Sequence, residues 1–342
     1  SAYWEAYPAG DTFNENNDGE LDSPSSFLVV AAADDTQIEI TPSVDARGNH
    51  PEGETFNITL NQGDIYQIQA DGDLTGTLIE LSNDNTGECK NFAVFGGNQW
   101  GRVTGGDDCS SGSDTGGFAA DHLYEQMFPV STWGENYIAA PYELRTAFVL
   151  QITAAEDDTR IVIGADVINI NAGETIRRLE TDVVAVFADK PIQVAQLSQA
   201  LSCDANNNSG PGDPFMIMLS PNEQKLNQIT FNALTANVID NYFVTVITET
   251  SEIANITLNA NSIPASDFLP VPGTGFSYAN VGIDLGQDYT LLSDAGFIAY
   301  IYGFGNIESF GYAAGASLEN LDLVILGDDP EINVIDQEAC VN

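Results

Sequence analysis

The sequence predicts an all-β protein made of three related antiparallel β-sandwich-like units packed into one compact multi-unit assembly. Three observations carry this prediction. Polar and apolar residues alternate with period two through short segments rich in β-branched side chains. Clusters of Gly, Asn and Asp separate these segments at short intervals, as turns do. A pattern of strand, acidic turn and strand also recurs along the chain, which is the mark of a repeat architecture.

In chain order, Gln37-Ile38-Glu39-Ile40-Thr41, Phe56-Asn57-Ile58-Thr59-Leu60, Ile65-Tyr66-Gln67-Ile68-Gln69 and Asn255-Ile256-Thr257-Leu258 alternate and predict half-buried strands. Helical periodicity is scarce, with single helical turns expected at 121–128 and 221–226. The first copy of the repeat spans 27–40 around Asp34-Asp35-Thr36, and the second spans 150–163 around Asp157-Asp158-Thr159. Asp and Thr suit such turns because their side chains bond nearby backbone groups. Downstream, Leu60-Asn61-Gln62-Gly63-Asp64 matches Ile170-Asn171-Ala172-Gly173-Glu174, and the stretch 90–99 matches 190–199. A third copy, alike in pattern, runs from 243–247 through 255–258 to 296–304. Each copy ends in an apolar run with little alternation, as a strand buried on both faces does. Units that share an interface are therefore expected, rather than independent beads.

The expected divisions are a first unit at 1–135, with an N-terminal segment and a Gly/Asp-rich loop, a second at 136–235 and a third at 236–318. An acidic extension, or linker to a following domain, is expected at 319–342. The Gly/Ser/Asp-rich stretches 101–117 and 203–214 predict exposed loops.

Of the 342 residues 43% are hydrophobic, which permits a sizeable core and sets the chain apart from disordered sequences. Nine Lys and Arg stand against 51 Asp and Glu, a net charge of -42. Such a surface repels nucleic-acid phosphates and anionic lipid and suits cations or basic partners. Salt or divalent ions are expected to stabilise the fold. The four cysteines, Cys89, Cys109, Cys203 and Cys340, are even in number and widely spaced. They point to disulfides and an oxidising compartment, with three connectivities open. No run of 18 or more apolar residues occurs, so no insertion into a membrane is expected. No basic-then-apolar leader begins at Ser1, so a removed leader or a fragment of a longer chain is expected. These features together favour a secreted, extracellular or cell-surface address.

No nucleophile elbow, Cys-x-x-Cys pair or P-loop is present, and no catalytic residue is assigned. Carboxylate pairs abound, but 51 acids pair by chance, so a glycosidase has no specific support. On a helical turn His122 and Glu125 would share a face beside Asp121 and could ligate a metal. A third ligand at matching spacing is missing, which favours a polar cluster bracing a loop. Trp133 is expected as a core or interface anchor. Calcium fits the sequence better. Asn14, Asn16 and Asp18 place oxygens at alternating positions before Gly19, with Asp22 following. Asp204, Asn206 and Asn208 form a weaker example, and Asp107, Asp108 and Asp114 a third acidic loop. The plainer reading of all three is a solvated turn. The triplets beginning at Asn57, Asn207 and Asn255 fit glycosylation sites but decide nothing.

A family resemblance rests on several strings: Tyr3-Trp4-Glu5-Ala6-Tyr7-Pro8, Leu28-Val29-Val30-Ala31-Ala32 with Asp35-Thr36, and Ala93-Val94-Phe95-Gly96-Gly97-Asn98-Gln99. Asp121-His122-Leu123-Tyr124-Glu125-Gln126 and Pro129-Val130-Ser131-Thr132-Trp133-Gly134 follow. Gly212-Asp213-Pro214-Phe215-Met216, Pro272-Gly273-Thr274-Gly275-Phe276-Ser277-Tyr278 and Tyr302-Gly303-Phe304-Gly305 complete the set. In these the chain resembles the N-terminal domain family of the IgGFc-binding protein, over roughly residues 3–315. Where family members often carry a cysteine before the Asp/Asn-His pair, this chain has Ala120. The resemblance implies an extracellular adhesion module without enzymatic activity. Its partner would be a glycoprotein, glycan or other surface ligand, held by loops such as 101–117 and 204–214. Two other functions stand beside it. One is a subunit of an extracellular filament or sheath, bound to copies of itself by strand exchange through its termini. The other is a hydrolase, which would need two carboxylates facing across a cleft.

Overall fold

The computed structural model describes residues 5–6, 24–82, 90–103, 120–203, 211–234 and 236–321. The first unit holds β1 (Glu5–Ala6), β2 (Ser25–Ala31), β3 (Thr36–Thr41), β4 (Phe56–Leu60), β5 (Ile65–Ala70), β6 (Leu78–Leu81), β7 (Phe92–Arg102) and β8 (Asp121–Gln126). The second holds β9 (Gly134–Ala139), β10 (Phe148–Ala154), β11 (Thr159–Ile163), β12 (Asp166–Ile170), β13 (Thr175–Glu180), β14 (Val184–Ser198) and β15 (Met216–Met218). The third holds β16 (Leu226–Asn232), β17 (Ile239–Glu249), β18 (Thr257–Leu258), β19 (Asn261–Ser262), β20 (Leu269–Pro270), β21 (Phe276–Ile283), β22 (Asp288–Gly305) and β23 (Glu308–Ala313). The strand pairs are antiparallel, and the all-β, multi-unit class is what the alternation predicts. β16 lies N-terminal to residue 236, yet it pairs with β22 in the third sheet.

One pairing scheme recurs. A central strand (β2, β10 or β17) is flanked by β5, β13 or β21 on one side and by β7, β14 or β22 on the other. In the first two units even the register agrees: Ala31 pairs with Phe92 and Ala154 with Ile192. Their turns are built alike too. Asp35 and Asp158 take φ of 53° and 55°. The Thr36 and Thr159 hydroxyls donate to Ala33 O at 2.8 Å and Glu156 O at 2.7 Å. Asp34 Oδ1 accepts from Gln62 N at 3.0 Å, and Asp157 Oδ1 accepts from Ala172 N at 3.1 Å. Lys90 Nζ caps the carbonyls of Asp34 and Asp35, as Lys190 Nζ caps that of Asp157. The matched Asp, Asn, Gly and Lys positions are thus one side-chain clamp occurring twice.

The long strands serve two layers. β14 pairs with β11 and β9 through its first half and with β10 through its second, with a register break between Phe187 and Ile192. Pro191, which has no N–H to give a ladder, sits in that break. β22 breaks likewise between Leu292 and Phe297, beside Gly296 at φ 82°. In the first unit the same role is divided between β6, paired with β3, and β7, paired with β2. The apolar ends of β14 and β22 are buried on both faces, as expected: 192–198 and 296–305 are buried throughout.

Two expectations about helix are corrected. Residues 121–126 form β8, because the stretch pairs with β7 and its backbone bonds are met in the sheet. Residues 221–225 form a turn, in which Gln224 N donates to Pro221 O at 2.9 Å, before β16 begins.

Among the described residues four apolar cores hold the molecule together. One lies inside the first unit (Phe27, Val29, Ile38, Ile40, Ile68) and one inside the third (Val244, Leu291, Phe297, Ile301). A third joins the second and third units through Tyr142, Phe148, Phe215, Tyr302 and Phe304. The fourth joins the first and second through Val103, Leu123, Val149, Leu197, Met216 and Met218. The two faces of β10 explain its near-continuous burial: Phe148, Leu150 and Ile152 enter the shared core with the third unit, while Val149 meets the first unit.

Candidate functional site

The units meet where their closing strands lie side by side. β15 stands between β8 and β23, so one strand from each unit forms the junction. Strand alternation sets what each contributes. On β8 the row Asp121, Leu123, Glu125 faces the junction, with Leu123 1% exposed in the shared core. His122 and Tyr124 take the opposite face, where their rings stack with centroids 5.2 Å apart. Three residues apart on a strand, His122 and Glu125 point in opposite directions, so the shared-face metal reading does not hold. His122 Nδ1 lies 3.3 Å from the Gln99 carbonyl oxygen. Trp133 Nε1 donates to Phe128 O at 3.0 Å and braces the turn after β8.

The segment 211–214 was expected in an exposed loop. Instead Gly212, Asp213 and Pro214 are buried against the third unit. Gly212 N donates to Gly305 O at 2.9 Å. Gly212 has φ 118°, and a Cβ there would stand 2.7 Å from Phe304 Cδ1. Only glycine therefore fits without movement of the ring. Arg145 fastens the segment from below. Its Nη1 donates to Pro211 O at 3.0 Å and its Nη2 to Gln199 O at 2.5 Å, while the guanidinium stands 5.8 Å from the Phe304 ring centroid. The loop end is buried because Arg145 and Phe304 together cover it. Likewise residues 101–102 continue β7, and Val103 is fully buried.

Three carboxyl groups at the junction are held above the ordinary range by burial. Asp213, only 5% exposed, is pushed up to about 8 by desolvation, with Asp121 and Glu308 adding repulsion and Arg145 opposing it. Among the described residues its Oδ1 has no hydrogen-bond partner. Asp121 is raised by burial, against the bond it accepts from His122 N at 2.6 Å. Glu125 is pushed up to about 8 by desolvation alone. Beyond Glu125 the three strands part to leave a cleft of about 200 Å³ lined by Glu125, Gln126, Phe128, Met218, Tyr312, Ala313 and Leu318. All three methionines of the chain, Met127, Met216 and Met218, pack around this junction.

A family model described as IgGFc binding protein matches residues 5–303. The chain belongs to the IgGFc-binding protein family. The match takes in strands of all three units. The human IgGFc-binding protein is 23% identical over 302 residues, covering 85% of this chain and 5% of the human protein's length. Among solved structures, the apo form of a Pleurotus ostreatus lectin is similar over 56% of this chain and 82% of its own. Its identity is 8% and its TM-score 0.15, too slight a likeness to bear on the fold.

The family strings that look scattered in sequence converge at the junction: Asp121 to Gln126 on β8, Gly212 to Met216 before and in β15, and Tyr302 to Gly305 at the end of β22. Other expected site residues lie outside the described residues: Asn14, Asn16, Asp18, Asp22, Cys89, Asp107, Asp108, Cys109, Asp114, Asp204, Asn206, Asn208 and Cys340. Cys203, in a short 3-10 turn (Leu201–Cys203), is disulfide-bonded, and the other three cysteines are among those positions. Among the described residues no group of three or more His, Cys, Asp or Glu side chains is placed to hold a metal ion. Sequence reasoning passed over Arg145, Met218, Glu308 and Tyr312. Rarity was the available signal for Arg145 and Met218, among nine basic residues and three methionines in 342 positions; Glu308 and Tyr312 carried none.

Proposed function

We propose that this chain is a non-enzymatic binding module of a secreted or cell-surface protein, with a protein or glycoprotein as its ligand. The family match across 5–303 carries the reading, because it takes in strands of all three units. The human relative is named for the Fc of IgG, so Fc is the first ligand to test. A rigid β scaffold with contacts on its loops and junctions suits such a role. Loop calcium at Asn14, Asn16, Asp18 and Asp22, and disulfides among the four cysteines, belong to the same proposal. A hydrolase would need a second carboxylate facing Glu125 across the cleft. Strand exchange through the termini has no specific observation behind it among the described residues. In the test, purified chain is immobilised and presented with IgG Fc and a glycoprotein and glycan panel, with calcium and with chelator. Saturable binding to at least one is expected. Silence across the whole panel would sink the reading.

A further inference from the structure

We propose that the cleft closing the β8–β15–β23 junction receives a lysine or arginine side chain of a protein partner, with Glu125 as its counter-ion. This deepens the binding reading above and rests on it. Size is the first argument. About 200 Å³ falls below the roughly 300–1,000 Å³ of small-molecule sites and matches one long side chain. The walls are the second. Phe128, Met218, Tyr312 and Leu318 offer an apolar sleeve for a methylene stem, and a thioether adapts to irregular occupants.

Charge is the third argument. Glu125 faces inward on the same side as Leu123, and no ion pair among the described residues reaches it. The groups around it are acids and phenols. Asp121 lies on its own strand, Asp213 and Glu308 at the far end of the junction, Tyr312 across the cleft, and Tyr142 beneath, where Glu125 adds to the upward pressure on the phenol. Arg145 is committed to carbonyls of Gln199 and Pro211. A chain of net charge -42 draws cationic partners to its surface, and a desolvated carboxyl is where one gains most.

Proton linkage gives the proposal its signature. With its pKa pushed up to about 8, Glu125 holds a proton at neutral pH in the empty cleft. An entering ammonium favours the carboxylate, so the proton leaves as the cation binds. Affinity therefore rises with pH, by up to tenfold per unit, and levels off above about 8.

The test uses two capped tripeptides, acetyl-Leu-Lys-Leu-amide and its norleucine analogue, titrated calorimetrically into the full chain at pH 6, 7 and 8 in buffers of different ionisation heat. The lysine peptide is expected to bind at least tenfold more tightly than the analogue at pH 8, and to release up to one proton at pH 6 and 7. Glu125→Gln should abolish both the preference and the pH dependence. Equal binding of the two peptides, no proton release, or no binding at millimolar peptide overturns the proposal. The wild-type comparison needs no variant, so it stands if Glu125→Gln fails to fold. Fc or glycoprotein binding that persists while the peptides fail would overturn the cleft site and leave the module reading intact. Peptide binding with a silent ligand panel would do the reverse.

Discussion

The second and third units meet through chemistry unlike that which brings in the first. Between the second and third, large aromatic rings interlock: Tyr142 and Tyr302 lie 5.0 Å apart in edge geometry, and Phe215 and Phe304 5.7 Å apart. Their polar tips are satisfied. Tyr302 Oη accepts from Glu143 N at 3.0 Å, and Tyr300 Oη accepts from Ser220 N at 3.0 Å. The first unit contributes smaller, softer groups, Val103, Leu123 and Met127, beside Glu125, whose carboxyl is raised by burial. Satisfied aromatic packing is what permanent attachment needs. Burying the Glu125 carboxyl costs stability, and its place on β8 puts that cost on the first unit's side.

Breaking the aromatic contact should have the largest effect. Phe304→Ala is expected to cost about 3–5 kcal/mol, read from denaturant unfolding. The second and third units should then unfold less cooperatively. Leu123→Ala should cost about 2–5 kcal/mol, and calorimetry should show the first unit melting ahead of the other two. A single unchanged transition for Leu123→Ala would erase the distinction between the two contacts.

The carboxyls sharpen the comparison through pH. Asp213 and Glu125 hold their protons more tightly folded than unfolded, where carboxyls titrate near about 4. Their contribution to stability is therefore complete below about pH 4 and is lost as pH rises towards 8. Asp213→Asn should remove up to about 1.4 kcal/mol per pH unit from that slope, seen in unfolding free energies between pH 5 and 8. A slope unchanged from the parent would show that Asp213 carries no proton in the folded chain. The smallest effect is expected at the aromatic contact's polar edge. Tyr302→Phe removes the acceptor of Glu143 N and should cost about 1 kcal/mol in the same assay.

Much of the fold was legible because its signals are local. The alternation at 56–60 and 65–69 marks β4 and β5, and the Asp-Asp-Thr turns appear where the two acidic strings stand. The misread stretch 121–126 shows the limit. Asp121-His122-Leu123-Tyr124-Glu125-Gln126 has no decisive period, and its strand state comes from pairing with β7 across the 104–119 segment. The site was legible only in fragments. The family strings meet at the junction, but Asp213 reads in sequence as part of a polar loop, because Phe304, which covers its segment, lies some ninety positions away.

By itself the sequence determined the strands, the paired turn clamps and the three-fold recurrence, because these depend on side-chain period and on bonds between near neighbours. It also determined the charge, and with it the sign of the field at the surface. Only the tertiary structure decided which acids lose their water, because desolvation depends on what the other units lay over them. Three closing strands that are far apart in the chain meet side by side. That meeting takes Asp213 and Glu125, two of 51 acids, out of water.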